Sequence, residues 1–436
     1  MTLASNKKIV FLGGGSTQFA PLLISDFIKT EDLSGSMIVL VDVNEEKLKL
    51  VHQLGRRLIA YAGAELKLEY TTDRASALPG ADFVIISVEV NRFPLWKMDQ
   101  HIPRKFGIEQ AQGENGGPGG LFHAMRQIPV VVEICQDVEK LCPEALMINL
   151  ANPMSRILQA VHDYTSVKFV GSCHEIVDGN AYLSSLLQMP EESLHVVAAG
   201  LNHFTWYIEV RNKETGEDLY PMVRELAPRN VHMDRLLVAD LFRLTGYLCV
   251  TSDSHAGEYL AGGHVWRTAW ESEMEPFDFF SAYQMYLKDV DERVAKMVRG
   301  SYPAEEFLQI PSGEVVAQIV SAITHDRHER FNALNLPNDG YISNLPPTSI
   351  VEVPTSTRGD HLQGEVVGAL PPVIAGWCNL HAAIHSLNAK AAMEGDRQAA
   401  LEAMLLDPVV PDRFTAEKCL DAMLEAHRAY LPRFYS

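Results

Sequence analysis

Five short apolar runs in the first 171 residues show no polar alternation: KIVFL, SMIVLV, ADFVIISV, ALMINL and VKFVG. A strand with one wet face alternates, so runs like these are buried on both faces, as in parallel sheets covered by helices. Helical spacing fills the gaps between them. STQFAPLLISDFIKT carries Phe19, Leu22, Leu23 and Phe27 on one side, and EEKLKLVHQLGRRLIAYAG is amphipathic. LKLEYTTD reads as a short alternating strand. The pattern predicts an α/β fold, a Rossmann-like doubly wound parallel sheet over residues 1–195.

From about residue 196 the texture changes. HVVAAGLNHFTWYIEVRN alternates like antiparallel strand, and NLPPTSIVEVPTST is a second such piece. Helical tracts at 273–299, 313–325, 373–405 and 414–429 surround them. Residues 196–436 are therefore expected to form an α+β domain for metal, substrate and oligomer contacts. It is expected to pack over the open edge of the sheet, with the site between the halves. A chain of 436 residues suits two or three domains.

The net charge of −19 disfavours nucleic acid and anionic membranes as partners. No apolar run nears the ~20 residues that span a bilayer, and the N-terminal apolar run reads as strand. Six scattered cysteines read as reduced thiols. A cytoplasmic protein is expected.

FLGGGSTQF follows a strand and opens a helix. Gly13, Gly14, Gly15 and Ser16 would let backbone N–H groups approach a pyrophosphate at the positive end of that helix. The spacing is not a clean GxGxxG, and a tight strand–helix turn explains the residues as well. Asp42 ends the second strand, where a carboxylate binds ribose hydroxyls and repels a 2′-phosphate; its plain alternative is a helix cap. With the further parallel strands, NAD is the favoured ligand. Asn149 and Asn152 in NLANP face the carboxyl edge of the sheet, or simply make a turn.

Cys173 follows the fifth strand and His203 lies between two antiparallel runs. Thiolate and imidazole ligate divalent transition ions well, but no short spacing links them, and a buried cysteine and a structural histidine account for each alone. GENGGPGG, residues 113–120, carries Glu114 in a dense glycine loop, either near a substrate or as a flexible turn. SDSHAGEY, residues 252–259, brings Asp253, His255, Glu258 and Tyr259 together, as an acid–base source or a solvated loop.

In order along the chain, KIVFLGGGS, GPGG, NLANPM, GSCHE and GLNHFTW resemble glycoside hydrolase family 4, the NAD- and metal-dependent glycosidases. The CHEI step at 173–176 is similar to the CHEV step of α-galacturonidases, with Ile176 for valine. The resemblance implies transient oxidation of sugar carbon 3 by NAD, loss of the carbon 2 proton to a base, departure of the glycosidic oxygen, addition of water and return of the hydride. It implies Cys173 and His203 as ligands of manganese or another divalent metal. Asn149 would then lie near the nicotinamide, and Asn152, His174, Glu175 and Asn202 near the sugar. Tyr259 would be the base, with Asp253 as its rival, and Glu114 an acid or orienting group. A uronate would need a cation, from Arg156, Arg267 or Arg358. The resemblance implies a glycosidase that cleaves α-glycosides, α-galacturonides first; the substrate is expected to be a small, possibly anionic carbohydrate, and the protein a homodimer or homotetramer. An α-galactosidase or α-glucosidase of the same family, an NAD-dependent dehydrogenase and a non-enzymatic NAD sensor are the alternatives.

Overall fold

The computed structural model describes residues 5–265 and 279–435. Its first six strands are parallel: β1 (Lys8–Leu12), β2 (Met37–Val41), β3 (Lys67–Thr71), β4 (Phe83–Ile86), β5 (Leu146–Asn149) and β6 (Lys168–Gly171). They lie in the order β3-β2-β1-β4-β5-β6, that of a doubly wound dinucleotide fold. Alternation is missing because both faces are dry. In β1, Ile9 and Phe11 enter one core and Val10 and Leu12 the other. β3 is the exception: it forms the sheet edge and is largely exposed.

Helices α1 (Ala20–Lys29), α2 (Glu45–Ala62) and α6 (Glu175–Leu187) fill the first core. Helices α4 (Gly117–Leu141) and α5 (Met154–Tyr164) fill the second, and α3 (Arg92–Arg104) packs beside α4. Asn44 caps α2 by accepting from the Lys47 N–H, and Gly63 ends it at φ 64°.

The second half does not merely lie over the open edge. Its strands extend the sheet. β9 (Arg330–Pro337) pairs antiparallel with β6 at Gly171 and Asn335. Beyond it come β10 (Ile350–Arg358), then the hairpin β7 (Leu194–Leu201) and β8 (Phe204–Asn212), with β11 (His361–Gly364) on β10. β9 is a strand the sequence pattern did not single out, because its run RFNALNLP breaks the apolar residues with Arg330, Asn332 and Asn335. In NLPPTSIVEVPTST only the part from Ile350 onward is strand.

Helices α7 (Leu236–Thr245), α8 (Phe279–Val298), α9 (Val316–Thr324), α10 (Pro372–Glu394), α11 (Arg397–Leu406) and α12 (Arg413–Ala426) complete the chain. The tract 373–405 is two helices. Gly395 takes φ 66°, and Asp396 accepts from the N–H groups of Gln398 and Ala399, so one helix stops and the next starts. The beginning of the tract 273–299 lies outside the described residues.

The β6–β9 joint tolerates no side chain. A Cβ on Gly171 would stand 2.7 Å from Leu158 Cδ1 and Met154 Sδ, and 2.9 Å from Asn335 Cβ. Gly376, on the exposed side of α10, has nothing within 4 Å. Urea unfolding should therefore separate two substitutions: G171V should lose ~2 kcal/mol by overpacking, and G376A should gain up to ~1 kcal/mol of helix stability.

Candidate active site

The carboxyl edge of the parallel strands gathers the residues of interest. Gly13 turns the chain at φ 91°, where a Cβ would sit 2.1 Å from Ser87 O, so only glycine fits. The N–H groups of Gly13 and Gly14 reach Val41 O, and Ser16 Oγ accepts from the Phe19 N–H. Asp42 accepts from the Gly15 N–H at 2.9 Å and from the Asn44 N–H at 2.9 Å. It ties the glycine turn to β2 from the position where a ribose would lie. The positive end of α1 faces the same turn.

Cys173, Glu175 and His203 bring ligand atoms within 4.8 Å of one another, all buried. Cys173 leaves β6, and Glu175 opens α6. His203 sits in the two-residue turn between β7 and β8 at φ 63°, a conformation that costs a non-glycine residue ~1–2 kcal/mol. Burial, with Glu175 and Glu352 adding to it, pushes the Cys173 thiol well above its ordinary range. Burial also holds His203 neutral, at about 4. Burial pushes the Glu175 carboxyl up, yet His255 and the Thr251 hydroxyl help to bring it below the usual carboxylate range. A thiol, a carboxylate and a neutral imidazole packed together in a dry site can hold a divalent transition ion, whose charge would offset the cost of burying them. Glu175 was expected to read the sugar. The structure places its carboxylate in this donor cluster, with Thr251 Oγ1 donating to it at 2.6 Å and His255 Nε2 lying 3.6 Å away.

The stretch 113–120 is buried, and from Gly117 onward it forms the first turn of α4. Glu258 accepts from the N–H groups of Glu114 at 2.6 Å, Asn115 at 3.1 Å and Gly116 at 3.4 Å. A Cβ on Gly116 would fall 2.0 Å from Glu258 O. Arg156 Nε donates to Asn115 O, and Asp407 accepts from the Gly117 N–H. The segment 253–259 that carries Glu258 is a pair of short helical turns, Asp253–Ala256 and Gly257–Tyr259, and is largely buried.

Glu114 pairs with Arg92, which also meets Glu89 at 3.3 Å and lies over the Trp96 ring. Although burial works against it, Arg92 holds Glu114 down at about 2. The group is ionised at neutral pH and suits orientation better than acid catalysis. Asp253 has both oxygens committed to the N–H groups of Leu237 and Val238 at 2.9 Å, so it caps α7 rather than standing free as a base. Tyr259 stacks on Phe204 and donates its hydroxyl to Asn202 O at 2.8 Å, and burial lifts its phenol well above the usual range. Asn149, Asn152 and Asn202 each keep a buried side-chain oxygen without a hydrogen-bond partner. Such orphaned acceptors mark a place for ligand.

His174 is half exposed beside this cluster. Glu314, 3.5 Å away, raises it to about 9. Of the three arginines expected for a uronate, Arg156 is buried, donates from Nε to Asn115 O and from Nη1 to Asn388 Oδ1, and keeps its Nη2 without a hydrogen-bond partner. Arg358 is exposed at the end of β10 remote from Glu352, and Arg267 lies outside the described residues. Arg92, Asn115 and Glu352 escaped the sequence reading, and Glu258, grouped there with Asp253 and Tyr259 as an acid–base source, pins the glycine loop. Asn115 lay inside GENGGPGG, but the partners of all four are distant in sequence.

The family model for family 4 glycosyl hydrolases matches residues 8–189, and the model of that family's C-terminal domain matches residues 198–410. The chain belongs to glycosyl hydrolase family 4. An α-glucosidase of Erwinia rhapontici is 33% identical over 97% of this chain and 98% of its own. An α-galacturonidase of Lachnoclostridium phytofermentans is 28% identical over 98% and 97%. A 6-phospho-α-glucosidase from gut microorganisms, solved with NAD and Mn2+, shares the fold at a TM-score of 0.82 and 23% identity, covering 98% of this chain and 99% of its own. This family 4 enzyme therefore has the family's fold over nearly its whole length.

In this family 4 chain the glycine loop carries a pH-sensitive anchor. Burial raises Asp407 to about 6, against partial relief from Arg156 and the Gly117 and Val409 N–H groups. An aspartate raised on folding binds its proton more tightly in the native state. The native state should therefore lose stability as pH rises from 4 to 6, by roughly 2–3 kcal/mol from this group, and level off above. Urea titrations of D407N across that range should show the slope reduced by that amount.

Proposed function

We propose that this enzyme cleaves α-glycosides of a neutral hexose, an α-glucoside first, by transient oxidation at sugar carbon 3. The observation that carries the reading is the Cys173–Glu175–His203 cluster, set on the same sheet edge as a dinucleotide-type glycine turn closed by Asp42. NAD on that turn would supply a hydride acceptor and donor, and manganese or another divalent ion on the three donors would polarise the sugar oxygens.

The chain's own residues then divide the work. Asp42 selects a ribose with a free 2′-hydroxyl. The orphaned oxygens of Asn149, Asn152 and Asn202 accept hydroxyls of nicotinamide ribose or sugar. Tyr259 takes the carbon 2 proton. Its hydroxyl rests on the carbonyl of Asn202, next in chain to His203, so a cation at His203 would favour the phenolate. The ionised Glu114, braced by Arg92, orients the sugar.

A neutral sugar is favoured because the site is rich in carboxylates and the half-buried Arg92 beside it already faces Glu89 and Glu114. The α-glucosidase relative is also the more similar of the two relatives above. The α-galacturonide is the second reading. It rests on the CHEI step and on His174, a half-exposed cation at neutral pH beside Cys173. The active form is proposed to be a homo-oligomer.

The test is a panel of nitrophenyl α-glucoside, α-galactoside and α-galacturonide with NAD+, Mn2+ and a thiol reductant. The glucoside should turn over fastest. C173S and H203A should each lose manganese and at least a hundredfold in rate while remaining folded, and Y259F should bind sugar and NAD+ but lose most turnover. Full hydrolysis after stripping both cofactors would refute the redox scheme. Net NADH formation matching substrate consumed would make the protein a dehydrogenase, and a faster galacturonide would promote the second reading.

A further inference from the structure

His203 is a buried, neutral imidazole with two ring nitrogens to satisfy. A histidine that ligates a metal through one nitrogen needs a partner on the other, and that partner fixes the ring plane and the tautomer. Here the side-chain amide of Asn115 meets Nδ1 at 3.0 Å. Asn115 is 3% exposed and stands 88 residues away in sequence.

The amide is itself held from three sides. Its Nδ2 lies 3.2 Å from Glu258 Oε2. The backbone N–H of Asn115 donates to both oxygens of the same carboxylate, at 3.1 Å each. Its carbonyl oxygen accepts from Arg156 Nε at 2.9 Å. Glu258 also takes the N–H groups of Glu114 and Gly116, and the missing Cβ of Gly116 lets its backbone close on the loop. Three successive N–H groups form an anion-binding concavity, and this chain fills it with its own carboxylate. As placed, the amide nitrogen faces Nδ1; a metal on Nε2 makes Nδ1 an N–H donor, so the amide then turns its oxygen to the ring while its backbone N–H bonds to Glu258 keep the residue in place.

We propose that Asn115 and Glu258 form one positioning unit that sets the His203 ring for the metal ion. Glu258 orders the glycine loop, and the loop presents the Asn115 amide to the imidazole. The same loop carries Glu114, so the unit also keeps the Arg92–Glu114 pair in step with the metal site. This inference rests on the metal-site reading above.

The test is manganese affinity, read from the free-ion signal in electron paramagnetic resonance titrations of the purified chain, with NAD+ affinity and melting temperature measured beside it. N115A should bind Mn2+ about 10–100-fold more weakly, with NAD+ affinity within about twofold of wild type, a split that general loosening of the fold would not produce. E258Q should also weaken manganese binding. The double variant should be no weaker than the worse single one, because the residues act in series. If N115A does not fold, E258Q carries the test. Either folded variant with wild-type manganese affinity overturns the proposal, and multiplicative losses in the double variant overturn the single unit. A wild-type chain that binds no Mn2+ overturns the metal-site reading and this inference with it, whereas normal binding in wild type and N115A overturns the inference alone.

Discussion

The antiparallel bridge between Gly171 and Asn335 is the joint on which the arrangement depends. On one side stands a parallel sheet whose strands all deliver their carboxyl ends to one edge. On the other stand β9, β10 and the β7–β8 hairpin, which continue the sheet with each strand antiparallel to the last. The joint brings the turn at His203 to the exit of β6, where Cys173 and Glu175 emerge. Two donors from the first half of the chain thus meet one from the second. Gly171 makes this possible by having no side chain where Leu158, Met154 and Asn335 close in.

Electrostatics at the joint follow from that geometry. Cys173, Glu175, Glu258 and Glu352 are all buried around it, and burial alone disfavours every charge they would carry. The structure answers locally where it can. Glu352 takes hydrogen bonds from Thr205, Asn335 and Asn202, and Glu258 takes the amides of the glycine loop. Arg92 neutralises Glu114. For the Cys173 thiol the nearby carboxylates only deepen the penalty. A cation is the group that would relieve it, which is why the donor cluster is a more telling feature than any single ligand within it.

Packing around the site gives each charged residue a definite task, and several differ from what its neighbours in sequence suggest. Asp253 and Tyr259 lie six positions apart, yet one caps a helix and the other lines the wall beside His203. Arg156 follows NLANP closely, yet it points into the core and holds the glycine loop. Adjacent residues also diverge: His174 faces solvent and Glu314, whereas Cys173 and Glu175 face inward.

The sequence by itself determined the doubly wound half, because burial on both faces leaves its mark residue by residue in KIVFL or ALMINL. It also determined the glycine turn, since the positive φ of Gly13 and its contact with Ser87 admit no side chain. The family was legible for a similar reason: short local motifs carry it. Tertiary structure alone decided the rest. β9 carries Arg330, Asn332 and Asn335 among its apolar residues and so shows neither a continuous apolar run nor a clean period. Glu175 joins Cys173 and His203, and Asn115 meets His203 and Glu258 through contacts across 88 and 143 residues of chain that no local pattern records. Whether a buried carboxylate binds a cation, caps a helix or pins a loop depends on what faces it, and only the folded chain brings those partners together.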